Sequence, residues 1–248
     1  MKTIRPLLVI LSFYISHSCA SQQTMPERDK ELAAMYDHFQ ANRDKDARVR
    51  DSVLARFKAE LKKTLKKENS KAYPFKALSG KVKIAASRNG KLRIFSWQPY
   101  PDGCYHIYHA IYQYDNNGRM ETGELASIPG NDHTADLSYT GISEITDNNF
   151  LLLGYGTRCG GEDFYTLRNL IFNDGNAKDC RECFAGKDAL VFIKPRAVRS
   201  VPGYDPETQT ISYPEYGKNE ETGFYAPTGK TITLQYDKNT SAFIAKDN

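Results

Sequence analysis

The chain lacks any run of about twenty consecutive apolar residues, the length a helix needs to cross a bilayer. Its longest apolar stretch, Leu7 to Ile15, is short and interrupted by Ser12. Also missing are Gly-x-Ser-x-Gly, His-Glu-x-x-His and a phosphate-binding glycine loop. Those absences remove the usual signatures of serine hydrolases, zinc proteases and nucleotide-binding enzymes. Charge of one sign is scarce: 34 Lys and Arg against 30 Asp and Glu leave +4. So small an excess argues against nucleic acid or an anionic membrane surface as a partner. No catalytic, cofactor-binding or metal-binding set is expected, no cofactor is implied, and the balance weighs against an enzyme without closing the question.

What is present begins with a leader pattern. Lys2 and Arg5 precede the apolar stretch and small residues follow it, the order of a secretory signal over residues 1–20. Its end reads in two ways. Ser18-Cys19-Ala20 before Ser21 suits a leader-peptidase cut, whereas Cys19 followed by Ala20-Ser21-Gln22-Gln23 suits a lipoprotein start with Cys19 lipidated. The expected location is therefore outside the cytoplasm, as a periplasmic protein or an outer-membrane lipoprotein, with secretion a further option. No transmembrane segment is expected, and membrane contact would come only through a lipid on Cys19. Lys2 and Arg5 leave with the leader and no acid does, so the net charge falls from +4 to +2.

Residues 24–69 read as a helical segment. Thr24-Met25-Pro26-Glu27 has capping-box spacing with proline in the first turn. Leu32, Met35, Tyr36 and Phe39 follow at helical spacing, then Val49, Val53, Phe57, Leu61 and Leu65. From residue 81 to 246 the pattern becomes short runs rich in Val, Ile, Tyr, Phe and Thr. Turn dipeptides separate them: Asn89-Gly90, Asn117-Gly118, Asp147-Asn148, Asp174-Gly175, Asp205-Pro206, Thr228-Gly229 and Asp237-Lys238. The expected fold is mainly β with an N-terminal helical segment, its antiparallel sheets forming a sandwich or an open barrel. A small propeller fits less well, because each blade would need about four strands.

One hairpin can be set in register. A two-residue type I′ turn at Asn89-Gly90 pairs Arg88 with Lys91, so Ile84 faces Phe95 and Val82 faces Trp97. All four then share one sheet face and seed a core. The segment Gly90-Lys91-Leu92-Arg93-Ile94-Phe95-Ser96-Trp97, preceded by Tyr73-Pro74-Phe75, resembles a pattern in exported bacterial proteins that have no assigned activity. The resemblance covers a small part of the chain. It implies bacterial export and a β-rich domain, and it carries no catalytic residues.

Four cysteines remain after the leader: Cys104, Cys159, Cys180 and Cys183. An even number in an oxidising compartment reads as disulfides. In an up-and-down meander the run starting at Cys104 begins at the sheet end where the run before Cys159 finishes. That placement favours Cys104–Cys159 and leaves Cys180 with Cys183. Competing chemistry is thin. Cys180-Arg181-Glu182-Cys183 has redox spacing but no helix signal after it. Cys104, His106, His109, Cys180 and Cys183 contain only one close ligand pair. Glu162 and Asp163 follow Gly160-Gly161 and read as solvated loop charge, since adjacent strand residues cannot face each other across a cleft.

Three functions stay in play. The leading one is an exported cell-envelope protein acting as a non-catalytic binding module, of inhibitor or immunity type, whose partner is another envelope or secreted protein or a glycan. The second is a wall- or glycan-directed hydrolase. The third is a thiol-redox factor using Cys180 and Cys183.

Overall fold

The computed structural model describes residues 23–99, 103, 106–126, 137–157 and 159–246. The expected leader with Cys19, and Cys104, lie outside these residues. Helix α1 (Met25–Ala41) starts where the spacing predicts, with the Thr24 backbone N–H and hydroxyl donating to the Glu27 carboxylate at 2.8 and 2.9 Å. Helix α2 (Ala47–Leu65) starts at Asp46, whose carboxylate accepts the Arg48 N–H at 2.9 Å. Leu32, Tyr36 and Phe39 of α1 and Phe57, Leu61 and Leu65 of α2 are buried. Val49 departs from its expected stripe. It is 48 % exposed, because α2 makes its buried contacts only from Val53 and Leu54 onward.

Three antiparallel meanders follow. The first contains β1 (Lys83–Ala86), β2 (Leu92–Trp97), β3 (His109–Asn116) and β4 (Arg119–Glu124), in that order. The second contains β5 (Ser138–Thr146), β6 (Asn149–Thr157), β7 (Glu162–Asn173), β8 (Asn176–Asp179) and β9 (Ala189–Pro195). Here β8 and β9 both pair with β7, at its two halves. The third contains β10 (Gly203–Asp205), β11 (Thr210–Lys218), β12 (Tyr225–Asp237) and β13 (Ala242–Ala245). None of the sheets closes into a barrel, and the architecture is that of a sandwich.

The layers stack as helices, first sheet, second sheet, third sheet. Strand alternation explains why. In β2, Phe95 and Trp97 face the helices with Phe39 and Phe57, while Leu92 and Ile94 face the second sheet with Phe150 and Phe172. All six β2 residues are consequently buried. In β7, Phe164, Leu170 and Phe172 face the first sheet, and Leu167 faces Ile211, Leu234 and Phe243 of the third. A sheet covered on both faces also buries polar groups, and two charged ones are well bonded. Arg93 donates to Gln113 Oε1, Tyr73 O and Ser70 O at 2.9, 2.7 and 2.6 Å, and it lies 5.3 and 5.4 Å from the Phe75 and Phe95 rings. Burial lowers its pKa to about 10. Asp29 accepts the Ala77 and Leu78 N–H groups at 2.8 and 3.0 Å, which ties α1 to the segment entering the sheet.

Turn chemistry departs from expectation twice. Ile84 pairs with Phe95 as the register requires, yet the turn is not type I′. Asn89 is absent from the positive-φ residues and only Gly90 lies there, at 69°. The loop is four residues long, closed by Ser87 N–H to Leu92 O at 2.8 Å, and that closure preserves the same register. Asn89 gains more where it is, because its N–H donates to Glu144 of β5 at 2.9 Å. Thr228-Gly229 is not a hairpin turn either. It is a bulge inside β12 opposite Glu215, with Gly229 at φ 82°; a glycine inside a strand commonly marks such an irregularity.

Candidate functional site

The second sheet ends in an edge built unlike the others. β9 pairs with β7 over seven residues without a register shift. The Arg196 N–H donates to Gly161 O at 2.8 Å in the same register. Alternation along an antiparallel ladder then directs the backbone groups of Leu190, Phe192 and Lys194 to β7, and those of Ala189, Val191 and Ile193 outward. Pro195 falls on an outward position, where its missing N–H breaks no ladder bond. Among the described residues, no hydrogen bond is made by the outward N–H groups of Val191 and Ile193.

The other outermost strands are blunted. β1, β8, β10 and β13 have only three or four residues, β4 carries Arg119, Glu121 and Glu124, β5 is bulged twice, and the stretches of β11 and β12 that extend past β10 and β13 carry Pro214, Pro227 and a bulge. Short, charged or bulged edges resist strand addition. The Ala-Leu-Val-Phe-Ile stretch of β9 is uncharged and unbulged, and Lys194 and Pro195 blunt only its far end.

Beside this edge stands an arm of the third sheet. The β11–β12 hairpin continues past the bulge to Lys218 and Tyr225, beyond the reach of short β10. Pro214 is tolerated inside β11 because β10 pairs only with Thr210 to Ser212 and leaves that side open. Between arm and edge lies a cleft of about 380 Å³, walled by Val191 and Ile193 on one side and Tyr213, Tyr216 and Tyr225 on the other. Lys187 and Glu215 stand in the lining. The Tyr213 ring lies 4.1 Å from that of Phe192, and burial, then the charge of Glu215, raises its pKa. Val201 and Phe224, two of the four large exposed apolar residues among those described, lie at this end of the molecule, 44 and 57 % exposed.

A polar cluster lies where β7 begins and β9 ends. Asp163 is not solvated loop charge, as its glycine-rich context suggests. It is 5 % exposed, because residue 163 lies in β7 and faces the third sheet. It accepts Arg196 Nε at 2.9 Å and a hydrogen bond from Tyr155. Burial, then the Asp163 charge and this bond, push the Tyr155 hydroxyl up to about 12. Arg196 is raised by its bond to Asp163. Lys194, 4 % exposed, donates to Val198 O and lies 5.5 Å from the Tyr165 ring. The Ser200 and Tyr216 hydroxyls are 2.5 Å apart. These contacts fold the 196–202 connection against the arm.

Cys180 and Cys183 are joined as a disulfide. Cys159 is disulfide-bonded too, and Cys104, its expected partner, lies outside the described residues. No helix follows Cys180 to lower a thiol pKa; the segment instead docks the third sheet. Phe243 N–H donates to Cys183 O at 2.7 Å, and the Phe184 ring stacks on Phe243 at 5.5 Å. His106 lies before β3 and His109 within it. Among the described residues no cluster of three or more His, Cys, Asp or Glu is placed to hold a metal. No helix among them is long and apolar enough to cross a membrane.

Sequence reading located β9 as an apolar run, but not its edge position, which depends on distant strand order. The Ile193-Lys194-Pro195-Arg196 string was the available signal, since proline at a strand's end favours an edge. Comparison with protein-family models, curated proteins and solved structures finds no match.

Proposed function

We propose that the protein is an exported cell-envelope protein working as a non-catalytic binding module, with another envelope or secreted protein as its partner. Its contact surface is the β9 edge together with the β11–β12 arm. The supporting observation is the pairing of an unbulged apolar strand edge with an open, tyrosine-walled cleft and the exposed Val201 and Phe224 beside it. Exposed apolar residues grouped at one end mark interaction sites more often than scattered ones do.

The hydrolase reading draws less support. Among the described residues Glu215 is the one carboxylate lining the cleft, and glycoside hydrolysis ordinarily uses two. A glycan partner is the second reading, favoured by the faces of Tyr213, Tyr216 and Tyr225, since an aromatic ring offers an apolar body beside a polar tip. Export rests on the leader pattern, with the disulfide as a hint of an oxidising compartment.

Site-directed photo-crosslinking in intact cells tests the binding reading. A crosslinker at Phe224 should give a discrete protein adduct that a crosslinker at Val49, on the helix layer, does not. Adducts of glycan alone would favour the second reading. Equal labelling from both positions, or none, would remove the proposal, as would recovery of the chain with its leader intact in the cytosol.

A further inference from the structure

We infer that β9 receives its partner as an added β-strand: an extended, unstructured segment of another protein laid along Ala189 to Pro195. This deepens the binding reading and rests on it. The argument is stereochemical. An open strand edge presents N–H and C=O groups from every second residue, here Ala189, Val191 and Ile193, and only another extended backbone matches that repeat. A folded surface or a sugar would satisfy a single group and leave its neighbours unmet. Backbone pairing supplies affinity in this mode and side-chain pockets supply selection.

The surroundings set the register and character of the segment. Pro195 offers no N–H, so pairing ends there. With about 3.3 Å of rise per residue, the guest strand is about five to seven residues long. Its side chains alternate. One set points into the cleft against Tyr213, Tyr216 and Tyr225, which suits apolar or aromatic residues at every second position. The other set continues the plane of Val191 and Ile193, which pack towards the first sheet. Lys187 and Glu215 supply one charge of each sign, so no strong net charge is asked of the guest. The guest is therefore a linear segment of alternating apolar character without proline at its paired positions.

The experiment pans the full mature chain, disulfides intact, against a phage-displayed library of linear peptides, and measures binding of the enriched peptides to variants. Val191→Pro and Ile193→Pro each delete an outward N–H and leave the bonds to β7 in place. Each should weaken the enriched peptides roughly tenfold, the scale of one lost hydrogen bond with its desolvated partner. Circular dichroism establishes that the variants fold. Ile193→Lys, which leaves every backbone group intact and adds the charge natural edges use, should weaken binding as well and serves if the proline variants do not fold. In the wild type, saturating peptide should slow amide exchange at Val191 and Ile193.

Enriched peptides that bind the edge variants as tightly as wild type overturn strand addition but leave a binding role at the arm standing. Failure of any linear peptide to enrich also overturns it. Exchange at Val191 and Ile193 that slows with protein concentration in the absence of peptide identifies a second copy of this chain as the occupant, and excludes the inference. Loss of the Phe224 crosslink in cells would instead remove the binding reading itself.

Discussion

Asp163→Asn keeps the side chain's shape and removes its charge. Arg196, its ion-pair partner at 2.9 Å, is 52 % exposed in its side chain, so solvent screens the pair to about 1 kcal/mol at most. The Tyr155 hydroxyl bonded to a buried carboxylate contributes about 1.5–3 kcal/mol, part of which an amide oxygen retains. A net loss of about 2 kcal/mol follows, which lowers the melting temperature by about 4–8 °C in a domain of this size. The second readout is chemical. Tyr155 lies at about 12 because burial disfavours the phenolate, the Asp163 charge repels it and the hydrogen bond retains its proton. Asparagine removes the charge, so the Tyr155 transition should move down towards about 10, the ordinary tyrosine value. Ultraviolet titration of tyrosinate, wild type against variant, with thermal unfolding by circular dichroism, reads both effects. Coincident titration curves and equal melting temperatures would mean that Asp163 is solvated, and the reasoning about this cluster would fail.

Asp29→Ala strips the acceptor from the half-buried Ala77 N–H and the buried Leu78 N–H and should destabilise by about 2–5 kcal/mol, read as a lower urea midpoint with an unchanged slope. Gly156→Ala places a methyl 2.1 Å from the buried Phe164 ring, and should cost about 1–3 kcal/mol as an overpacked core does. Cys180→Ser with Cys183→Ser opens a short loop, which the chain-entropy model values at about 2 kcal/mol. Limited proteolysis should then cut the third sheet first, because the Phe184–Phe243 stack sits on that segment. Tyr155 and Tyr204 are both held at about 12, so the folded state keeps protons that the unfolded chain gives up near pH 10. Their stabilisation is whole below about pH 10 and is lost as pH rises to about 12; chemical denaturation across that window measures the loss.

The features legible in the sequence were those set by neighbours along the chain. Thr24 and Glu27 lie three residues apart, so the capping box fixed the start of α1. The Ile84–Phe95 pairing survived even though the turn joining the strands was of another type, because two closures with the same centre give the same register. Thr228-Gly229 misled because glycine serves bulges as well as turns, and the choice depends on whether a partner strand continues opposite it. Arg93 and Gln113 interrupt apolar strands, and covering both sheet faces buries them and makes them partners. Asp163 follows the same logic: two preceding glycines suggest a loop, but β7 begins at Glu162 and carries the carboxylate beneath the third sheet. The open edge of β9 was the least legible feature. It exists because β8 and β9 share one side of β7, a fact of strand order that no local pattern encodes.

Native-state amide hydrogen exchange along β9 tests the central claim most directly. An open edge predicts alternation: slow exchange at Leu190, Phe192 and Lys194, whose N–H groups bond to β7, and fast exchange at Val191 and Ile193, whose N–H groups face the cleft. Uniformly slow exchange through all five positions would show that the edge is already covered, and would contradict the account.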